Sequence, residues 1–391
     1  MKMSLWKDTM ITEFFTPTKI IIGEGAITQV GDLVKSFGTK VMIVSGQTGR
    51  FNPILEKQCL EKGILTTIYQ THGEPTINTI QQGLDLARQN QVDVVVGIGG
   101  GSSLDTGKAI SILMTNHGDI YDYLEVIGKG KAFQNPALPY IAIPTTAGTG
   151  TEVTKNAVIG VPESKVKVSL RSVWMIPKVA ILDAELTYDL AREVTAYSGM
   201  DALTQLIEPY VCNQPNPITD ALCRDGILRI ANHLKDAYFE GKNKNARQNM
   251  AIASLFSGLA LANAKLGAVH GFAGVLGGMY GAPHGEICAI LLPYVIKVNL
   301  EALLSREPNN PALSRYREIN KMIVGSEDEK DLIDWVLDLC ELFNIPKLRS
   351  IGITEKDYEA VIEKASQASS MKGNPIKLTK DELLTILEYA Y

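Results

Sequence analysis

Between Lys19 and about Asp183 the chain alternates short β-branched runs with longer amphipathic segments, and beyond that point the β-branched runs stop. The first pattern is that of successive βαβ units around a mostly parallel sheet; the second, long Ala/Leu-rich stretches bounded by Pro, Asn and Gly, is that of a helical bundle. Strands are expected at Lys40–Val44, Ile64–Tyr69, Asp93–Ile98, Tyr140–Ile143 and Val179–Leu182. The run Asp93–Ile98 is apolar at nearly every position, as a strand covered by helices on both faces must be. Ile77, Ile80, Leu84 and Ala87 recur at helical spacing and mark one buried helix face. Helices longer than average are expected at Val194–Val211, Pro217–Tyr238 and Ala246–Ala264. The fold class is therefore α/β plus all-α, with a parallel-sheet domain over residues 1–186 and a helical-bundle domain over residues 187–391. A chain of 391 residues is long enough for two such cores, and the cleft between them is the place to look for a ligand.

Composition narrows the partners. Net charge is −5 with acids and bases interspersed, so there is no basic stripe for a nucleic-acid backbone, and a small-molecule ligand is expected. The most membrane-like stretch, Met250–Asn263, is followed by Lys265, short of the roughly 20 apolar residues that span a bilayer; it reads as a buried helix. Five cysteines are scattered without Cys-x-x-Cys spacing, which points to reduced thiols. With an N-terminus, Met1–Asp8, that lacks the pattern of an export signal, the expected location is cytoplasmic.

Gly99-Gly100-Gly101-Ser102-Ser103-Leu104-Asp105-Thr106-Gly107-Lys108 follows the apolar strand and opens a helix. Three glycines let backbone N–H groups approach a diphosphate, and the first helical turn adds partial positive charge. A second loop, Thr145 to Glu152, follows the next strand; in an open parallel sheet such loops line the ligand crevice. Its hydroxyls, Thr145, Thr146 and Thr149 among them, suit the nicotinamide side of a dinucleotide. After Val44 comes Ser45-Gly46-Gln47-Thr48-Gly49-Arg50, with no carboxylate to hold a ribose 2′-hydroxyl. That absence, with a guanidinium nearby, favours NADP over NAD. Arg50 reads equally well as a solvated surface residue.

Asp201 and Gln205 fall one helical turn apart on one face. His270 and His284, two of only five histidines, follow in runs of small residues, with a Gly/Pro break that suits two different helices. Two imidazoles and a carboxylate form a set that holds Fe²⁺ or Zn²⁺ with positions left open for substrate, and Gln205 has a carbonyl oxygen to add. Any one of these residues alone reads as a hydrogen-bonded core residue or a helix cap; the reading rests on their occurring together.

With these residues in view, the chain resembles the iron-containing (group III) alcohol dehydrogenases from about Phe15 to at least Tyr294. The carriers are Gly-Gly-Gly-Ser-x-x-Asp from Gly99 through Lys108, Ile143-Pro144-Thr145-Thr146-Ala147-Gly148-Thr149, Gly199-Met200-Asp201-Ala202-Leu203-Thr204, and His270 and His284 with Ala289-Ile290-Leu291-Leu292-Pro293. The resemblance implies a Rossmann-like, dehydroquinate synthase-like dinucleotide domain, a helical metal-binding domain, NAD or NADP, a divalent metal in the cleft, and a homo-oligomer. In that family one Asp and three His typically hold the metal, mapping onto Asp201, position 205, His270 and His284. Position 205 departs, being Gln, and Gly274 stands where many members carry a further His. The cofactor-binding candidates are Gly46, Gly99, Gly100, Gly101, Ser102, Asp105, Thr145, Thr146, Thr149 and Lys167; the catalytic candidates are Asp201, His270 and His284.

The reaction expected is hydride transfer between nicotinamide and the carbinol carbon of a small alcohol, assisted by the metal. Three alternatives accompany it. One is a metal-independent reductase of the maleylacetate reductase type, and another a lyase of the dehydroquinate synthase type. The third is a non-catalytic nucleotide-binding relative.

Overall fold

The computed structural model describes residues 13–326, 328 and 330–391; Met1–Asp8, read above for an export signal, lie outside them. Among these described residues eight strands are formed: β1 (Lys19–Ile22), β2 (Lys40–Gly46), β3 (Leu65–Thr71), β4 (Val94–Gly99), β5 (Tyr140–Pro144), β6 (Asn156–Val161), β7 (Val166–Arg171) and β8 (Val179–Leu182). Six of them make one parallel sheet in the order β1-β8-β5-β4-β2-β3, and β6 pairs antiparallel with β7. The five expected strands stand within two residues of their expected ends. Sequence reading missed β1 as a strand and missed the β6–β7 hairpin, although Val166, Val168 and Leu170 alternate with Lys167, Ser169 and Arg171 in the period of a half-buried strand.

Helices α1 (Val30–Phe37), α2 (Asn52–Glu61), α3 (Ile77–Gln89) and α4 (Gly101–Leu113) cover the sheet. Because side chains alternate along a strand, Met42, Val44 and Val95 enter the core shared with α3 and α4, while Val41, Ile43, Val96 and Ile98 enter the core shared with α1 and α2. Both faces are dry, which explains the unbroken apolar run of β4. Strand order reverses between β2 and β4, the two strands whose carboxyl ends carry Gly46 and Gly99. A crevice opens at such a reversal, and dinucleotides bind there in open α/β sheets.

Among the described residues the last strand ends at Leu182, and nine α-helices follow: α5 (Arg192–Val211), α6 (Pro217–Phe239), α7 (Lys244–Asn263), α8 (Ala268–Tyr280), α9 (His284–Arg306), α10 (Pro311–Ile323), α11 (Lys330–Leu342), α12 (Tyr358–Gln367) and α13 (Lys380–Ala390). The stretch Met250–Asn263 belongs to α7 and is largely buried. Among the described residues α9 is the one single helix long and apolar enough to cross a membrane, yet 78% of its most apolar window is buried. It packs against α5, α8, α11 and α13 at the centre of the bundle. Its apolar character all round follows from being surrounded by other helices.

The two halves meet along α7. Leu255 and Leu259 of α7 pack on Val153, Ala180 and Leu182 of the sheet domain. Beside them Gly150 and Gly258 bring two backbones into contact: a Cβ on Gly258 would stand 2.4 Å from the carbonyl oxygen of Gly150, and one on Gly150 would stand 2.2 Å from the Cα of Gly258. No side chain larger than hydrogen fits at either position, so the threonine loop is pinned to the helical domain.

Candidate metal and nucleotide site

The metal candidates converge from three helices. Asp201 projects from the middle of α5, His270 from the first turn of α8 and His284 from the first position of α9. Asp201 Oδ1 lies 3.6 Å from His270 Nε2 and 3.7 Å from His284 Nε2. Asp201 and His270 are buried, at 2% and 6% exposure, and the two facing atoms, Asp201 Oδ1 and His270 Nε2, have no hydrogen-bond partner among the described residues. Burying two unsatisfied polar atoms face to face is costly unless a third species sits between them. Donors bound tetrahedrally at about 2.0–2.3 Å stand roughly 3.3–3.7 Å apart, so the donor set and its spacing fit a divalent ion.

Cys288, one turn beyond His284 on α9, was missed by sequence reading. Its Sγ lies 3.7 Å from His284 Nε2, and one donor atom from each of Asp201, His270, His284 and Cys288 falls within 4.8 Å of the others. The i, i+4 spacing from His284 was the available signal. Glu208 was missed too. It lies on the same face of α5 as Asp201, and its Oε2 is 2.6 Å from His270 Nδ1, while its Oε1 accepts from Val269 N at 2.7 Å. A carboxylate on Nδ1 leaves Nε2 directed toward Asp201 and His284, the arrangement usual behind metal-binding histidines. Burial opposes a charge on His270, but Glu208 and Asp201 outweigh it and push the imidazole up to about 10; a cation between Asp201 and His270 would take the place of the Nε2 proton, leaving the ring neutral with Nδ1–H on Glu208. The partly buried position of His284 holds its imidazole below the ordinary value; Asp201 opposes this and His270 and Lys167 reinforce it.

Gln205, expected as a ligand, is directed elsewhere. Its Nε2 donates to Asp201 Oδ2 at 3.1 Å, and its Oε1 accepts from Ser257 Oγ at 3.0 Å. Ser257 also lies 3.3 Å from the carbonyl oxygen of Gly148. Gln205 thus links the carboxylate to the threonine loop.

On the nucleotide side, Gly99 has φ +151°, and a Cβ there would stand 2.7 Å from Ser103 Oγ, so both conformation and space require glycine. Gly100 opens the N-terminus of α4, and Gly101 abuts Thr149, whose Cγ2 would be 2.9 Å from an added Cβ. Thr145 N donates to the Gly99 carbonyl at 2.9 Å, Thr146 lies beside Gly100, and Ser102 is half-buried at the start of α4. Gly46 sits across from them at the end of β2. The structure therefore places Gly46, Gly99, Gly100, Gly101, Ser102, Thr145, Thr146 and Thr149 in the turns at the carboxyl ends of the neighbouring strands β2, β4 and β5.

Asp105 and Lys167 are placed differently. Asp105 faces inward: its Oδ2 accepts from Val158 N at 3.0 Å and Oδ1 lies 3.9 Å from the buried Lys108 Nζ. It braces α4 against the hairpin. Lys167 projects from β7 against Gly277 of α8 and pairs with Glu74 at 2.6 Å. Arg50, weighed as a partner for a 2′-phosphate, is engaged: Nη2 donates to Leu186 O at 2.7 Å, Nη1 lies 3.6 Å from Asp189, and the guanidinium stacks on Phe51.

Glycine- and threonine-rich turns at a strand-order reversal, joined through Ser257 and Gln205 to a buried carboxylate and imidazole set, are the features of a nucleotide-dependent oxidoreductase with a candidate metal site. Comparison with known proteins narrows this. Residues 17–184 match the model for "Iron-containing alcohol dehydrogenase", and residues 195–391 match "Fe-containing alcohol dehydrogenase family, C-terminal". The chain is 37% identical to Alcohol dehydrogenase 4 of Saccharomyces cerevisiae (strain YJM789), over 97% of this chain and 99% of the other. It is 34% identical to NADPH-dependent butanol dehydrogenase of Clostridium saccharobutylicum, over 97% of each. The crystal structure of a 1,3-propanediol oxidoreductase superposes with a TM-score of 0.90 at 32% identity, covering 98% of this chain and all of that one. The chain belongs to the iron-containing alcohol dehydrogenase family, and it is an NAD(P)-dependent oxidoreductase acting on CH–OH groups.

Proposed function

We propose that the protein interconverts a small alcohol and its carbonyl compound with NADP as the preferred nucleotide, using a divalent ion, Fe²⁺ or Zn²⁺, held by Asp201, His270 and His284. The observation that carries this is the pair of unpartnered buried atoms, Asp201 Oδ1 and His270 Nε2, aimed at one point beside His284. In this reading the nicotinamide supplies or takes the hydride, and the ion makes an alcohol oxygen more acidic or a carbonyl carbon more electrophilic. The protein's own residues do the placing. Glu208 holds the His270 ring with Nε2 forward, and Gln205 holds the Asp201 carboxylate through Oδ2, leaving Oδ1 free. Gly99, Gly100 and Gly101 admit the diphosphate against the α4 N-terminus, with Ser102, Thr145, Thr146 and Thr149 around it. Asp105 braces that turn from behind, and Lys167 stands over the cleft from the hairpin. At Gly274, one turn from His270, an added Cβ would meet nothing within 4 Å, so the cleft is open where relatives place a ring.

The NADP preference rests on Gly46. No carboxylate stands at the end of β2 to repel a 2′-phosphate, and Arg50, already engaged, is not needed for the argument. An added Cβ at Gly46 would meet only Ser103 Oγ, at 3.6 Å, so Gly46→Asp is sterically tolerated. Scattered free thiols accord with a cytoplasmic protein, and family membership accords with a homo-oligomer.

The test is an assay with short aldehydes and either nucleotide, before and after chelation. NADPH-linked reduction that disappears on chelation and returns with Fe²⁺ or Zn²⁺ is expected, with Gly46→Asp reversing the nucleotide preference. Full activity in chelated protein retaining no metal would move the chain to the metal-independent alternative.

A further inference from the structure

We infer that Cys288 Sγ is the fourth metal donor, taking the place that the amide at position 205 gave up, and that the thiolate shifts the site's preference from Fe²⁺ toward Zn²⁺. The inference rests on the metal-assisted reading above and concerns which atoms complete the site.

Three observations carry it. Gln205 presents its NH₂ to Asp201 and its carbonyl oxygen to Ser257, so the one atom of that side chain able to bind a cation faces away from the convergence point. Cys288 is fully buried, at 0% exposure, and occupies the same side of α9 as His284, its Sγ 3.7 Å from His284 Nε2. Three of the separations among the donors are 3.6, 3.7 and 3.7 Å, close to the roughly 3.3–3.7 Å edges of a tetrahedral Zn²⁺ site, and all four donor atoms lie within 4.8 Å of one another. The other two inward atoms, on Asp201 and His270, are buried without partners, so the thiol completes a set that already points to an ion.

The chemistry follows from the donors. On binding, the Cys288 S–H bond is exchanged for an S–metal bond and one proton leaves to solvent; no redox change is involved. An aspartate and a thiolate together neutralise a divalent ion, whereas aspartate with an amide would leave a buried positive charge. Thiolate is a soft ligand that selects Zn²⁺, while imidazole and carboxylate alone serve Fe²⁺ as readily.

The experiment uses the full chain stripped of metal and titrated with Co²⁺, a spectroscopic stand-in for Zn²⁺. Binding of one Co²⁺ per chain with an intense near-ultraviolet thiolate-to-cobalt absorption band is expected. Cys288→Ser should abolish the band while visible cobalt bands persist, and Gln205→Ala should leave it in place. In competition between Zn²⁺ and Fe²⁺, the wild-type preference for Zn²⁺ should fall in Cys288→Ser by more than the roughly tenfold typical of losing an outer partner. One Co²⁺ bound by the wild-type protein without the band, or a band that survives in Cys288→Ser, overturns the thiolate while leaving the metal reading intact. No Co²⁺ bound at all overturns both. The wild-type spectrum decides the point even if Cys288→Ser folds poorly.

Discussion

At the scale of single residues, the candidate metal donors are held in place by neighbours that lie outside the donor set. Glu208 is the clearest case. It accepts from His270 Nδ1 and from Val269 N, so it sets both the tautomer of the ring and the first turn of α8. Glu208→Gln keeps the shape but lets the amide present a donor to Nδ1, which favours the wrong tautomer. Metal affinity, measured by competition with a chromophoric chelator, is expected to fall about 10–100-fold, with nucleotide affinity unchanged. Equal loss of both would indicate that the substitution disturbs the fold instead. Cys288 and Glu208 went unread in the sequence because a thiol or a carboxylate in a helix has many ordinary explanations. Asp201, His270 and His284 were legible because histidines are few and lie among small residues.

At the scale of elements, the threonine loop is more than a turn beside the nucleotide. Gly148 packs on Ser198 of α5 and Gly150 on Gly258 of α7, and Ser257 lies within hydrogen-bond reach of the Gly148 carbonyl and of Gln205. These contacts tie the loop to α7 and to α5, the helix that carries Asp201. Gly258→Ala places a methyl 2.4 Å from the Gly150 carbonyl and must part loop from helix. The expected result is a loss of about 1–3 kcal/mol of stability and a weaker nucleotide Kd, read by thermal melting and by fluorescence titration with NADPH. A variant that binds NADPH as tightly as wild-type would show that the loop tolerates separation from α7. Helix and strand identities were legible from periodicity, whereas the glycine pairing was not, since its two members are more than a hundred residues apart and each is an ordinary glycine in its own segment.

At the scale of the molecule, the two domains share a buried polar junction. Glu152, at the end of the threonine loop, is 1% exposed, and neither carboxylate oxygen has a hydrogen-bond partner; burial pushes its carboxyl up to about 7, with a backbone contact and Lys108 opposing. Since that value lies above the ordinary 4.5, the fold favours the neutral acid. The group costs nothing at a pH below its ordinary value, and stability declines as pH rises from there to about 7, by on the order of 3 kcal/mol. Glu152→Gln removes that dependence. Its melting temperature should exceed that of wild-type at pH 8 and approach it near pH 5; the same difference at both pH values would mean that the carboxyl does not titrate in this range.

The sequence alone determined the class of each half, because hydrophobic period and β-branched content are local properties that each segment carries with it. It also singled out the glycine turn and three of the four side chains that meet at the candidate metal site, where rare residues sit in distinctive surroundings. What only the tertiary structure decided was which side chains share a point in space. Gln205 turned aside to brace Asp201, Cys288 turned in, Arg50 was taken up by Leu186 and Asp189, and the most apolar helix became the centre of a bundle. Each of those outcomes depends on a partner from another helix or domain, and close approach between distant segments leaves no mark on either one until the chain is packed.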